Sequence, residues 1–334
     1  MPNITCAIAA NATDHLNVDV LIASLVLPIG GFVVVSCVAF LAVIQRNARL
    51  QTPANLILCS LTVSDLLVGV VSVPMFSAFL FLKASHPDAC AFSRLFDVTR
   101  YSMYVSAGGS LVQISVFSWD RWEALSQPLK YKTKVTRRKV LTVSGACWVV
   151  WIMWLSVILY GMSNRMREIC TAVTCCVLVL TPVFFHCALV LTIRAEFRKM
   201  TMIPIQRYVT AALLKERRIT VTLRYIIGAF LACLLPVMFI WIAYIAGVTS
   251  LKRHAFPWAV TLTFFNSCLN PVIYFWRIPG MRSAALRLFC CWCVNERKSR
   301  GEPGSRKQGF ATGLGKKFSK FHDFLGFYGP VGTL

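Results

Sequence analysis

Seven apolar runs, each close to the roughly 20 residues needed to cross the hydrocarbon of a bilayer, leave few folds open to this chain. They cover Val20 to Gln45, Ala54 to Leu82, Leu95 to Phe117, Val140 to Tyr160, Ala172 to Ile193, Ile219 to Ala246 and Ala255 to Trp276. Backbone polar groups in lipid must be satisfied within the segment, so these runs predict helices, and together an all-α membrane protein built as a seven-helix bundle. Pro28, Pro74, Pro182, Pro236 and Pro271 interrupt five of the runs, and in a bundle they read as kinks rather than breaks. The third run is the least apolar, with Asp97, Arg100, Gln113 and several serines. Polar side chains are costly against lipid, which predicts that this helix is central.

Charge then sets the orientation. The chain is 57% hydrophobic and carries a net charge of +22, an excess that in a soluble protein would suggest nucleic acid. Here the basic residues fall between the apolar runs, which excludes that partner and points to the bilayer surface. Only seven of the 35, Lys83, Arg94, Arg100, Arg165, Arg167, Lys252 and Arg253, lie on the side opposite the first, third and fifth connections and the C-terminal tail. The positive-inside rule therefore predicts a cytoplasmic C-terminus and an extracellular N-terminus. Residues 1 to 15 lack the basic start and apolar core of a cleaved signal peptide, so the first run is expected to stay as an anchor. Asn3-Ile4-Thr5 and Asn11-Ala12-Thr13 are glycosylation sequons on the side this places outside.

Asp65 is the one acid in the middle of a run. Left ionised without partners it would cost roughly 2.5 to 3.5 kcal/mol on the insertion scale, so it calls for partners or an ion. Asn266 and Asn270, at i and i+4 on one helix face, and Ser110 in the third run are the candidates. Two readings stand: a hydrated hydrogen-bond network, or a small cation site with oxygen ligands, such as sodium.

A second charge cluster closes the third run, in SWDRWEALSQPLKY. Arg121 there either snorkels to the interface with Asp120 neutralising it, or belongs to a switch. The second reading draws on Glu216, which lies 20 residues before Pro236. At 1.5 Å per residue that is roughly 30 Å, enough to set Glu216 at the level of Arg121.

Taken in order, these residues resemble the rhodopsin-like (class A) G-protein-coupled receptors over about residues 20 to 292. The resemblance is carried by Asn55 and Asp65, by Asp120-Arg121 with Pro128-Leu129 and Tyr131, and by Trp148 and Pro182. Further along it rests on Glu216, Phe230, Cys233 and Pro236, and on Asn270-Pro271 through Tyr274. It implies a plasma-membrane receptor for an extracellular ligand, an outward swing of the sixth helix, and a cytoplasmic cavity that activates a heterotrimeric G protein. The switch roles it implies fall on Asp120, Arg121, Glu216, Asn270, Pro271, Tyr274, Phe230 and Pro236. Residues 1–19 are then the extracellular N-terminus and 20–276 the receptor bundle. A short amphipathic helix along the membrane and a palmitoylation site at Cys290, Cys291 and Cys293 occupy 277–293, and a disordered cytoplasmic tail 294–334.

Four positions depart from the family pattern. Trp122 stands for the usual Tyr after Asp-Arg, Cys37 for the first-helix Asn, Leu234 for the sixth-helix Trp and Val190 for the fifth-helix Tyr. Together they predict altered basal activity in an intact fold. The resemblance also implies a disulfide from the third helix to the second outer loop, for which Cys90 and Cys170 are the choice. Most other cysteines lie within runs and read as small packing residues.

For the ligand, Met103 occupies the place where amine receptors carry an Asp, which argues against an amine bound in the usual way. Phe264 occupies the place of the opsin Lys, which argues against a covalent chromophore. The remaining cavity positions, Tyr104, Val237, Met238, Trp241, Phe256 and Val260, are mostly apolar, and Arg100 adds one fixed charge. Two readings are open: a lipid-like or small acidic ligand held by Arg100, or an Arg100 that merely pairs with Asp97.

The competing functions are a seven-helix transporter or channel, for which inverted repeats are absent, and a receptor-fold partner subunit that does not signal alone. An enzyme is not expected, because His15, His86, His186, His254 and His322 are dispersed and no G-x-S-x-G element occurs. No cofactor is expected apart from the sodium ion.

Overall fold

The computed structural model of the protein describes residues 16–85, 93–127, 130, 131, 133, 135–201, 207–278 and 280–287. Asn3, Asn11, Cys90, Pro128, Leu129, Cys290, Cys291 and Cys293 lie outside these residues. Seven long helices account for nearly all that is described: α1 (Leu16–Arg46), α2 (Pro53–Ser85), α3 (Ser93–Ser126), α4 (Arg137–Gly161), α5 (Asn164–Thr201), α6 (Arg207–Ile245) and α7 (Thr249–Arg277). The chain divides into two units, Met1–Ala285 and Leu286–Leu334, and all seven helices belong to the first.

Five of the helices, α1, α2, α4, α5 and α6, contain stretches long and apolar enough to cross a membrane on length and composition alone. They turn large apolar side chains outward, among them Val35, Val150, Phe184 and Phe239. So much exposed apolar surface on every side is a lipid face rather than a water face. The other two fall short because polar groups are concentrated on them. On α3, Thr99, Ser106, Ser110, Gln113, Ser118, Asp120 and Arg121 are all buried, and on α7 so are Asn266, Ser267 and Asn270.

The helices start and stop where local chemistry permits. Thr52 accepts from the Asn55 amide at 3.3 Å and Pro53 follows as the first helical residue, a cap and a start that suit each other. Thr136 caps α4 in the same way through the Lys139 amide. Past α7, Gly280 adopts φ +81°, a left-handed conformation that suits glycine, and the chain turns into the helical stretch 281–287. All five expected prolines sit inside helices, and Pro257 adds a sixth. Within α2, residues Val68–Ser72 form a π-helical turn just before Pro74, a widening that the sequence pattern did not reveal.

As the polar residues require, α3 is central and packs against α2, α4, α5 and α6. α1 packs on α2 and α7, and α6 shares its broadest interface with α7. A pair of glycines sets the α3–α4 contact. A Cβ on Gly108 would lie 2.0 Å from the Trp151 ring and one on Gly109 2.5 Å from the Trp148 ring, so each glycine seats a tryptophan. Trp151 then donates to the Val105 carbonyl at 3.2 Å.

The helices outrun the apolar segments that predicted them, most of all α5, because a helix does not end where the hydrocarbon does. One consequence corrects the sequence reading. Cys170, expected in an outer loop, lies within α5, and only Met162 and Ser163 separate α4 from α5. Its thiol is free among the described residues.

Candidate functional site

Two charge centres lie inside the bundle. At the end of α3, Arg121 is buried with Asp120, their side chains only 6% and 7% exposed. Arg121 donates to Asp120 through Nε at 2.9 Å and also through Nη2. Nη2 donates as well to the Tyr131 hydroxyl at 2.8 Å, and that hydroxyl donates to the second Asp120 oxygen at 2.9 Å. Burial pushes the Tyr131 phenol above its ordinary range, so it remains a donor at neutral pH. From α6, Glu216 reaches Arg121 Nη1 at 3.5 Å with its side chain 25% exposed. The two acids engage the arginine at once, rather than in alternation.

Around this centre, Trp122 turns its ring to Phe185 of α5, with centroids 6.0 Å apart. The indole that replaces the expected tyrosine thus serves as an α3–α5 packing group. Deeper in the bundle, Leu111 and Ile114 of α3, Pro182 of α5, and Phe230 and Leu234 of α6 line one small apolar cleft. Pro236 is half-buried one turn farther along α6, and Val190 is half-buried beside the fully buried Leu189.

The second centre is Asp65, fully buried midway along α2. Asn270 Nδ2 donates to its Oδ2 at 3.0 Å, and Ser267, which sequence reasoning missed, lies within hydrogen-bonding reach. The other carboxylate oxygen, Oδ1, has no partner among the described residues, nor do Asn266 Oδ1, Asn270 Oδ1 and the Tyr274 hydroxyl. Ser110 is buried on α3, and no hydrogen bond joins it to Asp65 among the described residues. Cys37 packs with Val33 and Cys268, a thiol where the resemblance leads one to expect an amide. Tyr274 is wholly buried, with its ring 4.9 Å from that of Phe40 on α1.

Between these centres runs a third polar group that the sequence signalled only through Gln113. The Ser144 hydroxyl donates to Gln113 Oε1 at 2.7 Å, and Ser144 and Ser60 hydrogen-bond each other at 2.8 Å. Trp148 Nε1 donates to Ser60 at 3.2 Å. Helices α2, α3 and α4 are thereby tied through buried Gln113 and Ser144 and half-buried Ser60 and Trp148, all of which find partners.

The expected ligand residues gather at the end of the bundle opposite Arg121. Val260 and Phe264 belong to a buried cluster with Ile22, Val26, Val73 and Phe76, against which Met103 and Phe256 pack. Trp241 meets Phe256 edge to face at 6.3 Å, and Val237 and Met238 are half-buried. Tyr104 turns instead toward α4, against Trp151, Leu155 and Leu159. Arg100 pairs with Asp97 at 2.8 Å and sits over the Phe96 ring, while its Nε stays buried without a partner among the described residues. At the same end a pair absent from the sequence reading joins α1 to α2, Lys83 Nζ to Asp19 at 2.7 Å.

Comparison with known sequences agrees with this geometry. Residues 36–274 match the 7 transmembrane receptor (rhodopsin family). The histamine H2 receptor of Cavia porcellus is 29% identical over 296 residues, which cover 81% of this chain and 79% of that receptor. The Homo sapiens histamine H2 receptor is 26% identical over 304 residues, 84% of this chain and 81% of its own. The muscarinic acetylcholine receptor M3 of Sus scrofa is 32% identical over a shorter 142 residues, 42% of this chain and 22% of that receptor. With the ordered motifs on seven helices and a family match across most of the bundle, this chain belongs to the rhodopsin-like (class A) G-protein-coupled receptors, multi-pass proteins of the membrane.

Proposed function

We propose that the protein is a plasma-membrane receptor that binds a small extracellular ligand within the bundle and activates a heterotrimeric G protein at its Arg121 end. The observation that carries this reading is the bracketing of Arg121 by Asp120 and Glu216 from two different helices. An arginine held from α6 cannot engage a partner protein until α6 moves, so ligand-driven motion of α6 would expose it. In this orientation the N-terminus is outside, with Asn3 and Asn11 for glycans and Cys90 as the disulfide partner of Cys170. The C-terminus is inside, with Cys290, Cys291 and Cys293 for palmitate.

The ligand reading rests on Arg100 and its apolar surroundings. The relatives are receptors for histamine and acetylcholine, both small cations. In this chain Met103, not an acid, stands at the usual amine position and packs among apolar side chains. A carboxylate or phosphate that displaces Asp97 from Arg100 fits better, because it would satisfy the unpartnered Nε as well.

Asp65 Oδ1, Asn266 Oδ1 and Asn270 Oδ1 are three buried oxygen acceptors without donors among the described residues, a set that fits a small hard cation. Sodium there would supply positive charge to the buried carboxylate, with Ser110 and Ser267 as further oxygen donors.

The test is a G-protein activation sensor run across the Gα classes in cells, with wild type beside Arg121→Ala and Glu216→Ala. Arg121→Ala is expected to lose nearly all signal and Glu216→Ala to raise the basal level. If Arg121→Ala changes neither basal nor evoked signal with any Gα, the chain does not signal through this end and acts as a partner subunit. Trp122, Cys37, Leu234 and Val190 predict a basal level that differs from that of the histamine H2 receptor measured in parallel.

A further inference from the structure

A second arginine at the Arg121 end of the bundle is held by rings instead of acids. Arg277 closes α7, half-buried, with its Cζ 5.4 Å from the ring centroid of Tyr225 on α6 and 5.4 Å from that of Trp276 on its own helix. The two rings are 5.5 Å apart, so the guanidinium and both aromatics form one cluster across the α6–α7 interface. Among the described residues Arg277 forms no ion pair, and its buried Nε has no acceptor. The last turn of a helix suits a cation and ring faces attract one, but neither supplies an acceptor to a buried N–H.

The cluster opens on the lipid side. Tyr225 and Trp276 are each 45% exposed, and each ends an exposed apolar stripe. Leu235 and Phe239 continue the face of Tyr225 along α6, and Val272 and Phe265 that of Trp276 along α7. Tyr225 lies nearer to Glu216 than to Pro236 on α6, which sets the cluster toward the Arg121 end. There α7 stops at Arg277, and the chain turns at Gly280 into the stretch 281–287. Tyrosine and tryptophan at a helix end mark the level of lipid headgroups, and an arginine beside them reaches a phosphate by snorkelling.

We propose that Arg277, Tyr225 and Trp276 form a binding site for an anionic phospholipid, with the headgroup phosphate on the guanidinium and the acyl chains on the exposed faces of α6 and α7. A guanidinium presents two parallel donors that match two phosphate oxygens, and Nε is one of them. A lipid fits better than a soluble anion because the exposed surface that leads to Arg277 from both helices is apolar. In the proposed orientation this end meets the cytoplasmic leaflet, where anionic lipids are concentrated and basic pockets between helices hold their headgroups.

The test titrates three probes into the purified full-length receptor in neutral detergent: dioleoylphosphatidylglycerol, dioleoylphosphatidylcholine and inorganic phosphate. Thermal unfolding reports stabilisation, and native mass spectrometry counts bound lipid. Phosphatidylglycerol is expected to bind wild type saturably and about tenfold more tightly than phosphatidylcholine, the scale of one charge-assisted hydrogen bond. Arg277→Gln should remove that margin, and Arg224→Gln, which deletes an exposed cation of α6, should keep it. Equal binding of the two lipids to wild type, a margin that survives Arg277→Gln, or equal loss in both variants would overturn the inference, the last in favour of diffuse surface charge. Stabilisation by inorganic phosphate that matches the lipid and is lost in Arg277→Gln would overturn it in favour of a soluble anion. Should Arg277→Gln fail to fold, Arg277→Lys decides, because it keeps the charge and loses the paired donors. Its margin is then expected to shrink severalfold, and an undiminished one would overturn the site.

Discussion

The two charge centres of this bundle are satisfied in opposite ways. At Arg121 the charges are paired: two carboxylates and a phenol converge on one guanidinium. Around Asp65 one carboxylate oxygen and two amide oxygens are buried without a donor among the described residues. A closed set of opposite charges holds a conformation and releases it only when an element moves. An open set of acceptors is sensitive to what is supplied to it, which makes the two centres respond to different perturbations. The contrast teaches that the same bundle carries a closed charge cluster at one end and a set of buried acceptors in its middle, with α3 and α6 touching the first and α2 and α7 building the second.

The largest effect should come from breaking the latch at its centre. Arg121→Ala leaves Asp120 buried with only the phenol as a donor, and losing one partner of a buried pair costs roughly 3 to 5 kcal/mol. Thermal unfolding of the purified protein should show a drop of that order, and an unchanged melting temperature would mean that the pair is hydrated and the latch weak.

Next is the open centre. Replacing choline by sodium at equal ionic strength should stabilise wild type by about 1 to 3 kcal/mol through preferential binding to the folded state. Asp65→Asn should abolish that increment, because the amide removes the negative charge that holds the ion. A sodium increment that survives the substitution would place the ion elsewhere.

Smaller changes test how the latch is shared. Glu216→Gln weakens a partly exposed contact worth up to about 1 kcal/mol, so basal nucleotide exchange should rise roughly two- to fivefold. Smallest of all, Tyr131→Phe removes one hydroxyl donor to Asp120, for a loss of about 1 kcal/mol or less in stability and little change in evoked signal. If Tyr131→Phe outweighs Glu216→Gln in basal activity, the phenol and not α6 is the main restraint.

Legibility from sequence followed length scale. The seven helices, the central place of α3 and the internal prolines could be read because apolar length and polar burial are properties of single segments. Arg121 with Glu216 was also within reach, since helix rise converts 20 residues into a height in the membrane. That both acids hold the arginine together was not, because rotamers of two helices decide it. Ser144, Ser60 and Trp148 around Gln113 went unseen for the same reason: serines at helical spacing carry no mark of the partner across the interface. Cys170 was misplaced because hydropathy locates the hydrocarbon boundary and not the end of the helix.

By itself, the sequence determined that the chain is a membrane bundle of seven helices, which segments cross, and which few polar residues must be buried. Solvation decides these, and solvation is additive along a segment. Only the tertiary structure decided which buried groups are paired and which stand open. Pairing depends on side chains from different helices meeting within about 3 Å, a scale set by packing.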